Sequence, residues 1–364
     1  MTLFREASIL ATEREILERA GERIDQLITS DLPDKRRVPL LYRAANELYG
    51  GSPTLLAAEK LAHAFSEPGR TVMICSGWPN RPMVDPNIAE TDGPPGASVI
   101  ARALHQGFRA APLLLFEEPL LPSMRIVVEA AGLRALDGEA ALRGIKSLGS
   151  VHVAGVLGFP SGVMEAKARA SELLEEYRPA AVVVIEKGGM NAKGVIHSLR
   201  GEDITAPMAK VDFLIEEASA RGILTVAIGD AGNEAGLGAF AEVIRENLPF
   251  GKQCRCPCGA GTAPRSAAEV AIIADVSNWG AAALAGCLAM LRGESSLLHT
   301  PARERRLLEA AAAAGLVDGI EGWVGTSVDG LPMETSLAIV ELISTTVQQG
   351  MKSADPKRVA PHLA

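Results

Sequence analysis

Hydrophobic positions in the first thirty residues recur at helical spacing. Ile9, Leu10, Ile16, Leu17, Ile24, Leu27 and Ile28 lie within residues 5–29 and form one apolar stripe. Such a helix either packs onto its own domain or meets a second copy of the chain, so a homo-oligomer stays open. Pro39 suits the first turn of a second helix over 39–48. Ser52 and Pro53 supply an N-cap and an N1 proline for a third, ending near Phe65.

Beyond Phe65 the pattern changes. Short, continuously apolar runs alternate with helical segments. Strands are expected at Thr71–Cys75, 112–116, 151–156, 181–186, 224–228 and 270–276. Helices fit at 96–106, 122–131, 163–177, 207–220 and 239–246. Strands without polar alternation are buried on both faces, as in a parallel sheet covered by helices. The βα alternation predicts an α/β fold: an open, mostly parallel, doubly wound (Rossmann-like) sheet with an N-terminal helical extension. The C-terminal third reads as helices at 278–292, 301–314 and 334–349. The expected division is an extension over 1–34, one α/β domain over 35–349 and a tail over 350–364 that frays.

Composition narrows the function. Aromatic residues are only 4%, so the core must be aliphatic. A net charge of −8 lacks the cationic field that nucleic acid or an anionic membrane attracts. No apolar run reaches the ~18 residues of a membrane span. The N-terminus has no apolar signal core. Five cysteines, an odd number, do not read as a disulfide framework, which points to a reducing cytoplasm. A small-molecule substrate is the expected partner, without nucleic acid or membrane.

Gly (36) and Pro (22) are numerous, and many fall in segments that follow strands. Open α/β sheets bind ligands outside the carboxyl ends of their strands, so these loops are the expected place for chemistry. The loop after Thr71–Cys75 leads to Glu90, Thr91 and Asp92, just before a helix start. These residues either bind a substrate or merely cap the helix. The loop after 181–186 holds Glu186, Lys187, Gly188 and Gly189, without the Walker phosphate-loop spacing. Farther on, Arg200 and Asp203 are either a surface pair or a substrate clamp.

The segment 229–238 is the most distinctive. Asp230, Asn233 and Glu234 lie among four glycines. Their oxygens suit a hard cation such as Mg²⁺ or Mn²⁺, or acid–base work without a metal. The glycine spacing is not a dinucleotide fingerprint, so no nucleotide cofactor is expected. Cys254, Cys256 and Cys258 alternate along the chain, with no histidine close in sequence. They could bind a soft metal, supply a thiolate beside Arg255, or belong to a plain glycine turn. Asn278 follows the last strand and Asp329 precedes the last helix. The metalloprotease and serine-hydrolase signatures are absent.

The ordered segments ETDGPPGA (90–97), IEKGG (185–189), IGDAGNEAGLG (228–238), VSNWGA (276–281) and SVDGLPMET (327–335) resemble the D-glutamate cyclase family. The resemblance is to its C-terminal, catalytic-type domain and covers roughly residues 35–349. It implies a hydro-lyase that converts D-glutamate to 5-oxo-D-proline and water, with a divalent metal as a candidate aid. On that resemblance, Asp230 and Glu234 hold a metal or act as base and acid, with Glu186 as the third catalytic carboxylate. Glu186 and Asp92 orient the amine. Asn233 and Asn278 bond the substrate, Lys187 or Arg200 holds its α-carboxylate, and Glu90 and Asp329 complete the binding set. Two other readings remain at this point: a lactam or cyclic-imide hydrolase, and a non-catalytic small-anion-binding protein.

Overall fold

A computed structural model describes residues 2–32, 34–146 and 151–354. The expected tail falls mostly outside them, at 355–364. Seven strands form one parallel sheet: β1 (Thr71–Cys75), β2 (Ala111–Phe116), β3 (Arg134–Leu136), β4 (Val153–Gly158), β5 (Ala181–Ile185), β6 (Leu224–Gly229) and β7 (Val270–Ile273). Their spatial order is β3-β4-β2-β1-β5-β6-β7.

Each long strand sorts its side chains by parity. Val72 and Ile74 of β1, with Val183 and Ile185 of β5, enter the larger core. Met73 and Cys75, with Val182 and Val184, enter the smaller one on the opposite face. Burial on both faces is why these strands read as continuous apolar runs. The larger core is closed by α1 (Thr2–Ile28), α3 (Pro53–Ala64), α4 (Pro94–Phe108), α5 (Leu121–Ala130), α10 (Ser277–Arg292), α11 (Pro301–Ala313) and α12 (Met333–Ala354). The smaller core is closed by α7 (Val163–Tyr177) and α8 (Asp212–Ala220). A third cluster packs α2 (Arg37–Tyr49) and α9 (Ala241–Asn247) against β6 and β7.

The N-terminal extension lies on the body. α1 buries Ala20, Ile24 and Ile28 and packs against α12, α10 and α3. Several boundaries differ from the sequence reading. Strand β3 and helix α6 (Gly138–Lys146) were not expected, because β3 has three residues and begins with exposed Arg134. The helix expected over 207–220 starts at Asp212. Before it, the Ala209 amide donates to Glu117 and the Lys210 amide to the Pro160 carbonyl. The last strand ends at Ile273 rather than 276, and α12 continues to Ala354, past the expected helix end at 349.

Strand β1 pairs with β2 on one side and with β5 on the other. The chain therefore reverses its direction of sheet growth between β1 and β5. Such a switch point opens a crevice at the carboxyl ends of the strands. Ser76 and Glu186 follow those two strands directly. Among the described residues, no helix is long and apolar enough to cross a membrane.

Candidate functional site

Residues from four loops meet at this crevice. Glu186 leaves β5 with φ 44°, a left-handed conformation that costs free energy for a residue with a Cβ. Its carboxylate accepts from the Ser277 hydroxyl at 2.6 Å. Gly93 lies against it with φ 99°, and a Cβ there would stand 2.8 Å from both the Glu186 Cβ and the Ser76 Oγ. Glycine is thus required for the 90–97 loop to approach β5.

The loop after β6 is braced by its own acid. Glu234 accepts backbone amides from Asp230 (2.7 Å), Ala231 (2.6 Å) and Gly232 (2.6 Å). Its backbone pairs with Gly188, and Gly189 passes so close that a Cβ would stand 2.7 Å from the Ala235 amide nitrogen. Together these contacts lock the loops after β5 and β6. Carboxylate oxygens of Glu186, Asp230 and Glu234 lie within 4.8 Å of one another, and all three residues are buried.

Two cations answer them. The Lys35 ammonium pairs with Asp230 and, at 2.8 Å, with Asp329, and it also donates to the Asp275 carbonyl at 2.9 Å. Arg37 lies 3.5 Å from the Asp230 carboxylate and donates to its carbonyl at 3.2 Å. Burial would raise the Asp230 pKa, but Lys35 and Arg37 outweigh burial and hold it at about 2. Glu234 is pushed up to about 7 by burial and by Asp230. Asp329 is pushed up to about 6 for the same two reasons, against Lys35. Burial drives Glu186 well above the ordinary carboxyl range, reinforced by Asp230, Asp92, Glu234 and Glu90. Glu90 and Asp92 are raised by burial and by Asp329. Carboxyls outnumber cations in this space, and burial of Glu186, Asp230 and Glu234 weakens their screening by solvent.

The sequence-derived candidates thus fall into groups. Glu186, Asp230 and Glu234 come together, with Asp329 joined through Lys35. Asp92 accepts the Ser277 and Asn278 amides, each at 2.8 Å. Asn278 accepts the Gly93 and Gly96 amides and donates to the Thr91 carbonyl. The polar atoms of Asp92 and Asn278 are therefore engaged within the protein. Glu90 accepts from Asn80 at 3.2 Å. Asn233 donates to the His197 carbonyl at 2.7 Å, while its Oδ1 is buried without a partner. Lys187 points away from this group. It is fully buried, pairs with Glu117 and donates to the Gly77 carbonyl at 2.6 Å. Arg200 is exposed on a turn where its amide donates to Ser198.

Sequence reasoning missed Lys35, Arg37 and Ser277. The first two lie in a run of charged residues that reads as a solvated surface. Sequence reasoning missed Ser76 as well, whose buried Oγ has no partner beside Gly93. A second cluster joins His197 to Cys254, Cys256 and Cys258. Arg255, the cation noted beside these thiols, stacks 4.6 Å over the Phe250 ring.

The fold and crevice define a doubly wound α/β protein with an acidic site at its topological switch point. The family model for "D-glutamate cyclase-like, C-terminal" matches residues 24–344, and the chain belongs to that family. D-glutamate cyclase, mitochondrial, of Homo sapiens is 27% identical over a 320-position alignment that covers 81% of this chain and 48% of that protein. The chain spans about half the length of this curated relative. Among solved structures, a ligand-bound variant of O-ureido-L-serine synthase is 13% identical, covering 79% of this chain and 73% of its own. Its TM-score of 0.20 is too low to bear on fold or function.

Proposed function

We propose that this chain cyclises D-glutamate to 5-oxo-D-proline and water in the acidic crevice. Family membership supports the reaction class. The observation that carries the reading is the buried set of Glu186, Asp230 and Glu234, with oxygens within 4.8 Å of one another and more carboxyls around it than Lys35 and Arg37 can balance. Such a set calls for a cationic guest, and the substrate brings an ammonium group.

The chemistry is an internal condensation. The α-nitrogen forms a bond to the carbon of the side-chain carboxyl group (Cδ), and the bond from that carbon to one oxygen breaks. The ammonium gives up two protons, and both leave with the oxygen as water. Glu186, raised by burial and by neighbouring acids, is the acid–base group of the set: it takes a proton from the ammonium and returns it to the leaving oxygen. Asp230, held ionised by Lys35 and Arg37, anchors the ammonium end. The unpartnered Asn233 Oδ1 and Ser76 Oγ are further acceptors for substrate N–H groups. Arg37, partly exposed beside Asp230, is the cation suited to a substrate carboxylate. Holding both ends brings the nitrogen and the side-chain carboxyl carbon together, which removes much of the entropic barrier.

The all-oxygen donor set fits a hard divalent cation such as Mg²⁺ or Mn²⁺. Asp230 and Glu234 would hold it, with Glu186 in reach, and when bound it would neutralise the γ-carboxylate as a Lewis acid. The test is incubation of the purified full chain with each glutamate enantiomer, with and without Mg²⁺ or Mn²⁺, followed by NMR. Appearance of 5-oxoproline from the D form supports the reading. Absence of product from D-glutamate under every metal condition contradicts it.

A further inference from the structure

The loop after β5 and the segment that follows α9 meet at four soft or borderline metal ligands. Cys254 Sγ is 3.5 Å from Cys256 Sγ and 3.3 Å from Cys258 Sγ. His197 Nε2 is 3.2 Å from Cys256 Sγ and 3.6 Å from Cys258 Sγ. All four ligand atoms lie within 4.8 Å of one another, although His197 is 57 residues upstream of Cys254. None of the three thiols is in a disulfide.

We propose that His197, Cys254, Cys256 and Cys258 form a structural zinc site. A tetrahedral zinc ion with Zn–S near 2.3 Å and Zn–N near 2.0–2.1 Å separates its ligands by roughly 3.5–3.8 Å. The observed spacings need to open by only a few tenths of an ångström. The compactness favours one ion over an iron–sulfur cluster, whose several irons would hold the thiolates farther apart. Four protein ligands leave no open position, which is the pattern of a structural site. Zinc binding would release the thiol protons and keep all three sulfurs as thiolates.

The surroundings are built around the set. Asn191 donates to the Gly261 carbonyl at 2.7 Å and lies 3.4 Å from Cys258 Sγ. The Arg255 amide donates to the Gly201 carbonyl at 2.9 Å. His197 and Asp203 pair through their backbones, which fixes the loop that carries the imidazole. The carbonyl of His197 accepts from Asn233, one residue from Glu234 in the catalytic loop. The ion would therefore clasp the 187–211 loop to the 249–268 segment and hold Asn233 from behind. The site is distinct from the acidic crevice in both ligand chemistry and residues.

The test is metal content of the full chain, expressed with zinc in the medium and then desalted, together with X-ray absorption. The expected result is one zinc per chain, ligated by three sulfurs and one nitrogen. Cys256→Ser and His197→Ala should each weaken zinc binding by more than the roughly 10–100-fold that outer-shell changes cost. Glu186→Gln should keep its zinc. If the ligand variants do not fold, the metal content and absorption of the unaltered chain decide alone. A zinc-free chain that also gives no thiolate-to-metal band with Co²⁺ would overturn the proposal. So would an oxygen-only shell, or full zinc retention in both ligand variants. Zinc removal should also speed amide exchange at 190–205 and 229–236, and unchanged exchange there would contradict the clasp on Asn233.

Discussion

Asp92 and Asn278 cap each other's helices. Asp92 lies just before α4 and accepts the first amides of α10, while Asn278 opens α10 and accepts the Gly93 and Gly96 amides at the start of α4. Helix starts leave amides without partners, and here two starts face each other in a buried crevice. Each helix thus supplies the other's cap, and Gly93 is brought against Glu186. Asn278→Ala orphans the buried Gly96 amide and the Thr91 carbonyl, and leaves the Gly93 amide only its bond to Asp92. The expected loss is about 2–4 kcal/mol, read from urea unfolding. Asn278→Asp keeps the acceptors and should cost less in stability, while adding one more negative charge to the crevice.

Lys35 links the helical extension to the site. Its ammonium is buried between Asp230 and Asp329. Removing one partner from a buried ion pair leaves an unbalanced charge and typically costs about 3–5 kcal/mol. Lys35→Met should therefore destabilise by that order and raise the pKa of Asp230 from about 2. Chemical shifts of a labelled Asp230 carboxyl would follow that rise. An unchanged Asp230 titration would show that Lys35 does not set its charge.

The raised carboxyls give stability a defined pH trend. Asp25 and Glu234 lie at about 7, and Asp212, Asp275 and Asp329 at about 6, each raised chiefly by burial. A folded pKa above the unfolded value of about 4 means the native state binds the proton more tightly. That contribution is complete below about pH 4 and is lost as pH rises through 6 to 7. Asp230 runs the other way, with stability lost only as pH falls from about 4 towards 2. Without a divalent cation, Tm should decline from pH 5 to pH 7.5. A millimolar excess of Mn²⁺ should raise Tm more at pH 7.5 than at pH 5. An equal shift at both pH values would remove the acidic cluster as the binding site.

Lys187 distinguishes a structural cation from a substrate contact. It is fully buried against Glu117, on the side away from Glu186. Lys187→Ala should cost about 3–5 kcal/mol in stability. Among molecules that remain folded, KM for substrate should stay within about twofold. A large rise in KM with little loss of stability would return Lys187 to the binding site.

The sheet was legible because its strands are buried on both faces, so β1, β2, β5 and β6 read as unbroken apolar runs. Strand β3 was not, since a three-residue edge strand beginning with Arg134 has neither run nor alternation. The acidic loops were found from glycine density and position after strands. Their internal assignments were not readable. Whether Asp92 serves a ligand or a helix depends on Ser277 and Asn278, some 185 residues away. Likewise, His197 shares no local spacing with the three cysteines. Lys35 sits among charged neighbours that, without the fold, suggest only solvent. Pairings made by topology leave no periodic trace in sequence.

Glu186 tests the account most directly, because its buried carboxyl, with its raised pKa, is assigned to proton transfer. Product formation from D-glutamate by the unaltered chain should be compared with Glu186→Gln, both shown to be folded by their unfolding transitions. The expected result is 5-oxo-D-proline from the unaltered chain and a rate at least about 10²-fold lower for the variant. Equal rates, or no 5-oxo-D-proline from the folded, unaltered chain, would contradict it.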